Sequence, residues 1–280
     1  MTRLSTVTKQ LQRFIASGSS LEVIYHTHTP TVSPVTQRLC ILDSSFNPPH
    51  LGHFSLVEKS VKNSYPVTGV LPYDEIGVVL MFSVENCDKK VPKPAAFEHR
   101  LSMMCLLADE IKKNLDVPVF VTLTNKPIFA DKSLLVQDWI KNTVDGVLEK
   151  VKLTFLLGYD TLIRVFDNKY YRPTPTVVAL DEFMSKTDLF ALTRDDDSQH
   201  TADEQMEYLA KIKRGEDPEC RKEWGEQIFL VEGEPDFLDI SSSNIRKSIE
   251  MGSQKWSALT FESIADYIRQ CKPYTEDSTS

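Results

Sequence analysis

Short, almost continuous apolar runs alternate along the chain with longer segments in which apolar residues recur every three or four positions. The short runs have the length of strands and suit parallel strands that are covered on both faces. The longer segments are typical of helices that bury one face. The runs predict strands over 21–25, 39–42, 76–84, 117–123, 153–157, 176–180, 188–193 and 228–231. The longer segments predict helices over 51–63, 97–115, 134–148, 202–214, 243–251 and 261–271, after a helical first segment.

This alternation predicts an α/β fold, namely a doubly wound, mainly parallel, Rossmann-like sheet with helices on both faces in a single domain. Residues 1–37 are expected to form an amphipathic helix and an edge segment that pack on a core of residues 38–275. Residues 195–225 are predicted to be a charged insertion or a mobile surface segment, and 276–280 a frayed tail.

Two interpretations of the first 21 residues stay open. Three basic residues, several hydroxyl residues and no acidic residue suit a mitochondrial targeting segment. We prefer a helix that packs on the domain, because the basic residues are few and the segment carries an apolar stripe made of Leu4, Val7, Leu11, Phe14 and Ile15.

Composition and charge narrow the possible partners. The 280 residues are 41% hydrophobic and 26% charged, which is ordinary for a globular protein. The formal net charge of −8 argues against nonspecific nucleic-acid binding, so a substrate with several phosphates would need a local basic cluster. No apolar run is long enough to predict a membrane span, so we expect neither nucleic acid nor a membrane as a partner.

Five cysteines are scattered along the chain without a C-x-x-C pair. This pattern favours reduced thiols in a cytoplasmic or nuclear protein over a disulfide framework or a protein-bound metal site. The oligomeric state is left open.

The candidate chemistry centres on residues 39–53, LCILDSSFNPPHLGH. A buried strand is followed by a tight polar loop, and His50 and His53 then begin a helix. A helix N-terminus suits a phosphate, and residues three apart lie on the same helical face. Gly52 removes a side chain where a ligand would approach closely. A bare H-x-G-H would instead favour two surface histidines in a loop made by prolines.

The whole phrase resembles the signature G-x-F-N/D-P-x-H-x-G-H of the nicotinamide mononucleotide (NMN) adenylyltransferases, in the nucleotidyltransferase superfamily. Ser44 replaces the usual glycine. About 190 residues later, residues 240–246, ISSSNIR, resemble a second family signature, I-S-S-T-x-I-R, with Ser243 in place of threonine.

Three further segments carry the same resemblance. Residues 97–104, FEHRLSMM, resemble the helix after the family's second strand, and residues 153–162, LTFLLGYDTL, resemble its I-G-x-D segment. The tryptophan that usually follows is absent, although Phe166, Tyr170 and Tyr171 supply aromatic rings. The forms L-D-S-S-F-N-P-P-H and K-P-A-x-F (93–97) are most similar to fungal members.

The resemblance implies transfer of AMP from ATP, accompanied by Mg²⁺, to NMN, which gives NAD and pyrophosphate without a side-chain nucleophile. It implies catalytic roles for His50, His53 and Arg246. The implied ATP-binding residues are Ser44, Ser45, Phe46, His50, His53, Gly158, Asp160, Ser241, Ser242, Ser243 and Arg246. The implied acceptor-binding residues are Ser45, Phe46, Asn47, Lys93, Arg100 and Tyr170.

Structural alternatives exist for several of these residues. Ser241 or Ser242, and also Asp160, could simply cap helices. Arg100 could be a solvated helix charge, and Lys89, Lys90 and Lys93 ordinary surface lysines.

Other functions also stay open at this point. The same chemistry could use nicotinate mononucleotide (NaMN), phosphopantetheine or a phosphorylated alcohol as the acceptor. A regulatory protein that binds or slowly hydrolyses ATP is a second class. An interaction protein that uses the charged segment 195–224 is a third.

Overall fold

The fold is taken from a computed structural model that describes residues 3–85, 95–143, 150–193, 201–237 and 240–274. Within these residues, seven strands form one sheet in the order β1-β4-β3-β2-β5-β6-β7. The strands are β1 (Leu21–His26), β2 (Arg38–Asp43), β3 (Ile76–Ser83), β4 (Val119–Thr124), β5 (Lys152–Gly158), β6 (Thr187–Leu192) and β7 (Ile228–Val231).

Six of these strands, β2 to β7, are parallel to their neighbours, and β1 pairs antiparallel with β4 at the edge. The chain runs outward from β2 through β3 to β4, and then returns to the other side of β2 for β5, β6 and β7. The strand order therefore reverses beside β2. In open α/β sheets, ligands bind beyond the carboxyl ends of the strands at such a reversal.

Alternate residues of β2 enter two separate cores, one on each face of the sheet. Cys40 and Leu42 belong to the core that helices α1, α2, α3, α9 and α10 cover, whereas Leu39 and Ile41 belong to the opposite core. The helices are α1 (Arg3–Ser17), α2 (Leu51–Lys62), α3 (Phe97–Leu115), α4 (Phe129–Thr143), α5 (Tyr159–Val165), α6 (Thr176–Ala179), α7 (Asp181–Lys186), α8 (Ala202–Arg214), α9 (Ser242–Glu250) and α10 (Glu262–Cys271). The predicted doubly wound α/β class is confirmed.

The strand predicted over 176–180 is wrong, because this segment forms the short helix α6. Its backbone N–H groups donate to carbonyl oxygens four residues back, from Ala179 to Pro175 and from Leu180 to Thr176. The β-branched run has strand propensity, but β6 pairs directly with β5 and leaves no place between them. Helix α4 begins five residues before its predicted start at 134, and the predicted end over 144–148 lies outside the described residues. Helix α7 was not predicted.

The described part of the segment 195–225 packs on the domain, and its mobility stays a prediction. Helix α8 lies between the parallel strands β6 and β7 along the chain, and a capping box between Thr201 and Glu204 closes its first turn. Leu209, Ile212 and Trp224 are buried in one of the two cores. Whether the segment is an insertion stays a prediction, and residues 194–200 lie outside the described residues.

The N-terminal helix α1 packs on the domain, as the preferred interpretation expects. Val7, Leu11 and Phe14 are buried, and Arg3 forms a 2.8 Å ion pair with Asp109 of α3. The targeting interpretation stays a prediction. Among the helices in the described part of the chain, none has the length and apolar character needed to cross a membrane.

Candidate active site

A cavity of about 350 Å³ opens at the carboxyl ends of β2, β5 and β6, where the strand order reverses. Its walls come from the loop after β2, the first turn of α2, the residues that follow β6 and β7, and the first turn of α9. Both family-like signatures therefore face one space. We call it the first cavity.

The histidines of the H-x-G-H stretch are held by several contacts. His50 and His53 are only 6% and 8% exposed, and their ring centroids lie 3.8 Å apart. The backbone N–H of His50 donates to Nδ1 of His53 at 3.1 Å, and Nε2 of His53 lies 3.0 Å from Oγ of Ser44. Both rings line the first cavity, so the structure brings the two together as predicted.

Gly52 also lines the first cavity, but its nearest neighbour is a protein side chain. A Cβ atom at this position would lie 3.1 Å from Nδ1 and 3.2 Å from Cε1 of His50. The glycine thus leaves room for the His50 ring, and this is the close approach that requires it.

Phe46 and Asn47 take different directions after β2. The backbone of Phe46 has φ 44°, in the left-handed region, and its fully buried ring lies 5.1 Å from the His53 ring. Phe46 is not among the described residues that line the two cavities, and its ring packs against His53. Its predicted contact with ATP or the acceptor stays a prediction. Asn47 does line the first cavity, and its Oδ1 accepts a 3.2 Å hydrogen bond from the backbone N–H of Ala95.

The serines at the start of α9 have separate partners. The hydroxyl of Ser241 caps the helix by accepting the N–H of Asn244 at 3.1 Å, which confirms the capping alternative for this residue. The hydroxyl of Ser242 donates to the carbonyl oxygen of Pro48 at 2.8 Å. Both serines, together with Ser243, line the first cavity.

Two arginines give the first cavity the local positive charge that this acidic chain would need to bind a substrate with several phosphates. Arg246 lies one turn into α9. Arg100 of α3 is 7% exposed, and its Nε donates to the carbonyl oxygen of Ser45 at 2.8 Å. Burial lowers the pKa of Arg100 to about 10. The solvated-charge alternative for Arg100 is therefore wrong, because its guanidinium is held, largely desolvated, against the cavity wall.

Tyr274 lies near these two arginines and was not predicted as part of the site. Burial raises the pKa of its phenol, and the positive charges of Arg246 and Arg100 both act to lower it. Its hydroxyl has no hydrogen-bond partner among the described residues.

Gly158 and Asp160 follow β5. Gly158 lines the first cavity, and a Cβ atom there would meet nothing within 4 Å. The structure makes Gly158 the N-cap of α5, so the capping alternative for Asp160 is wrong. Asp160 lies in the first turn of α5 and is not among the described lining residues, whereas its neighbour Thr161 is. The ATP role of Asp160 stays a prediction.

Several lining residues of the first cavity were missed by the sequence reasoning. Thr161, Thr193, Gly233 and Glu234 all follow the carboxyl end of a strand. Thr193 accepts a 3.1 Å hydrogen bond from the backbone N–H of Gly233, which joins the ends of β6 and β7. The strand-end rule could have found these residues.

A second cavity, of about 240 Å³, adjoins the first. The predicted acceptor residues Ser45, Arg100 and Tyr170 line it, while Lys93 lies outside the described residues, as do Lys89 and Lys90. The two cavities share five lining residues, namely Asp43, Ser44, Ser45, Arg100 and Thr161. Two ligands in these cavities would therefore meet beside the end of β2.

A buried ion pair forms part of the second cavity's wall. Nζ of Lys132 in α4 lies 2.5 Å from Oδ2 of Asp43, and both side chains are largely buried. Arg164 of α5 and Phe129 of α4 also line this cavity. Asp43 belongs to the L-D-S-S-F-N-P-P-H form, whereas no sequence motif had indicated Lys132, Arg164 or Phe129.

The sequence comparison decides the family. The chain is 32% identical over 237 residues to a Schizosaccharomyces pombe protein named "Putative nicotinamide mononucleotide adenylyltransferase", a match that covers 84% of this chain and 85% of that protein. The chain belongs to this adenylyltransferase family. The family resemblance drawn from the signatures is thereby confirmed. No protein-family model matches the chain.

Solved structures agree on the fold. Two structures of Plasmodium falciparum nicotinic acid mononucleotide adenylyltransferase, complexed with APC and with NaAD, superpose with TM-scores of 0.51 and 0.53. Each is 16% identical in sequence and covers 85% of this chain and 97% of its own. At this identity the likeness supports the shared fold alone.

Proposed function

We propose that this adenylyltransferase transfers the adenylyl group of ATP to NMN and so produces NAD and pyrophosphate. The observation that carries the proposal is the pair of adjoining cavities that share Ser44, Ser45 and Arg100 at the end of β2. A transfer between two nucleotides needs both reacting phosphates in one place. The name of the Schizosaccharomyces pombe relative supports NMN as the acceptor.

ATP fits the first cavity. Its phosphates would meet His50, His53 and Arg246, with the hydroxyls at the start of α9 close by. Within the described residues, no group of three or more His, Cys, Asp or Glu side chains could hold a metal ion. Because Mg²⁺ gives up its water reluctantly, magnesium would enter as the MgATP complex, held mainly by phosphate oxygens and water.

The acceptor fits the second cavity. Its phosphate would lie at the shared wall beside Arg100, and its ring would lie among Phe129, Tyr170 and Tyr171. These aromatic residues offer stacking surfaces where the family usually has a tryptophan.

The chemistry follows from this placement. An oxygen of the mononucleotide phosphate attacks the α-phosphorus of ATP, a new P–O bond forms, and the bond to the β-phosphate oxygen breaks as pyrophosphate leaves. Negative charge builds on the bridging oxygen, and His50, His53 and Arg246 would stabilise it with hydrogen bonds that exist before the reaction begins. The protein supplies no covalent nucleophile.

NaMN is a second candidate acceptor, because Arg164 lines the second cavity and could pair with its carboxylate. The structures from Plasmodium falciparum are of an enzyme named for that substrate. The test is kcat/KM for dinucleotide formation with NMN and with NaMN, in wild type and Arg164→Gln. We expect turnover of NMN, and a larger loss with NaMN than with NMN in the variant. Absence of any dinucleotide from either acceptor would reject the proposal.

A further inference from the structure

Ser44 stands where the family signature usually has glycine, and its hydroxyl makes a contact that glycine cannot make. Oγ of Ser44 lies 3.0 Å from Nε2 of His53. Ser44 is also one of the five residues that line both cavities. Ser44 therefore lies between His53 of the H-x-G-H stretch and the space where the two ligands would meet.

The hydrogen bond at Nδ1, the other ring nitrogen of His53, determines which of the two nitrogens carries the proton in the neutral ring. The backbone N–H of His50 donates to Nδ1 of His53 at 3.1 Å, and an amide N–H can only donate. Nδ1 must then present its lone pair, so a neutral His53 carries its proton on Nε2. This assignment follows from the hydrogen-bond network. Nε2–H in turn donates to the hydroxyl oxygen of Ser44.

The ring of His53 is also constrained on its faces. The His50 ring lies 3.8 Å away, centroid to centroid, and the Phe46 ring 5.1 Å away. His53 is 8% exposed, so water has little access to reorient it. The Ser44 hydroxyl completes a set of contacts that defines both the position and the tautomer of this ring.

We propose that Ser44 is a positioning residue that holds the Nε2–H of His53 in place, aimed at the wall shared by the two cavities. When a phosphate oxygen of ATP arrives, it replaces the Ser44 oxygen as the acceptor of Nε2–H. The donor is then oriented before the substrate binds, so less ordering is needed in the transition state. This inference rests on the proposed function for its catalytic consequence, but not for the hydrogen bond between Ser44 and His53.

The tautomer can be measured without any substrate. Two-bond ¹⁵N–¹H correlation spectra of the histidine rings report which nitrogen is protonated, and His53→Gln identifies the signal of His53 among the six histidines of the chain. We expect Nε2–H in both wild type and Ser44→Ala, because the His50 amide fixes the tautomer. The Nε2–H proton of His53 should exchange with water faster in Ser44→Ala than in wild type, because its acceptor is lost. The control is Ser185→Ala, because Ser185 is an exposed serine of α7 and is not among the described residues that line either cavity.

Steady-state kinetics test the proposed effect of Ser44 on catalysis. We expect Ser44→Ala and Ser44→Gly to lower kcat by about five- to tenfold, the effect of one lost hydrogen bond, with a smaller change in KM for ATP. Ser44→Thr keeps the hydroxyl and should retain more of kcat than either. If Ser44→Ala leaves both the exchange rate of the Nε2–H proton and kcat as in wild type, the inference is wrong. A wild type that forms no dinucleotide would reject the proposed function, and the spectra would still decide the role of Ser44.

Discussion

Arg246 donates a 2.6 Å hydrogen bond from Nη1 to the carbonyl oxygen of Asn47, which lies 199 residues earlier in the chain. Its Nη2 lies 3.2 Å from the hydroxyl oxygen of Ser243, one turn back in α9. One guanidinium thus ties the second family signature to the first. The planar fork of an arginine can make both contacts while still presenting charge to the first cavity.

Replacing Arg246 with alanine should reduce kcat/KM for ATP by about a hundredfold or more, because a charged contact to the reacting phosphates is lost. Arg246→Lys should fall between alanine and wild type, since an ammonium keeps the charge but not the fork. Steady-state kinetics at varied ATP measure the effect. Arg269→Ala is the control, because Arg269 pairs with Glu262 and Asp266 on the exposed face of α10. Equal kcat/KM in wild type and Arg246→Ala would contradict the assignment.

Gly52→Ala should lower kcat without lowering stability. A Cβ atom at this position would lie 3.1 Å from Nδ1 of His50, so the ring must shift. The shift needed is a few tenths of an ångström. Because a displacement of about 1 Å in a catalytic group can cost about a hundredfold in rate, we expect a loss of up to about tenfold in kcat. Alanine favours a helix over glycine, so the unfolding free energy should stay equal or rise. A variant with wild-type kcat would show that the His50 ring position is unimportant.

The stability of the fold should depend on both members of the buried ion pair between Lys132 and Asp43. Lys132→Met leaves the Asp43 carboxylate buried without its partner, and we expect a loss of about 3–5 kcal/mol in unfolding free energy. The double variant Asp43→Asn, Lys132→Met should recover much of that loss, because no charge remains buried. Urea unfolding measures all three proteins.

The control for this pair is Lys186→Met. Lys186 and Glu182 form an exposed i, i+4 pair, which is worth at most about 0.5 kcal/mol. If Lys132→Met costs no more than Lys186→Met, the buried pair does not stabilise the fold.

His99 should make stability depend on pH. Burial lowers its pKa from the ordinary value, and the charge of Glu98 opposes this only in part. The folded state therefore binds fewer protons than the unfolded state near pH 6.5, so stability falls as the pH drops through that value towards the folded-state pKa. His99→Gln should lose less unfolding free energy than wild type between pH 7.5 and 5. Identical pH slopes in the two proteins would rule out this contribution.

The sequence predicted the sheet well because central parallel strands are continuous apolar runs. Strand β3 over Ile76–Ser83 and helix α3 over Phe97–Leu115 are found within one residue of their predicted bounds. The strand predicted over 176–180 was wrong because its β-branched residues carry a strand propensity that the surrounding fold overrides.

At the site, the motifs predicted which residues meet but not how their side chains lie. His50, His53, Ser241 and Arg246 do line one cavity. The inward ring of Phe46 depends on a left-handed backbone conformation, which a motif does not reveal.

The sequence did not predict contacts between elements that are distant along the chain. Lys132 meets Asp43 across 89 positions of the chain, and no local pattern marks it.

The most direct test of the two-cavity account measures NAD and pyrophosphate together, from ATP, Mg²⁺ and NMN, with wild type and His53→Ala. If the two cavities bring the substrates together, wild type should release the two products in equal amounts, and His53→Ala should lose about a hundredfold or more of both rates. Pyrophosphate or phosphate released from ATP without any dinucleotide would contradict the account, and would favour a protein that binds or hydrolyses ATP alone.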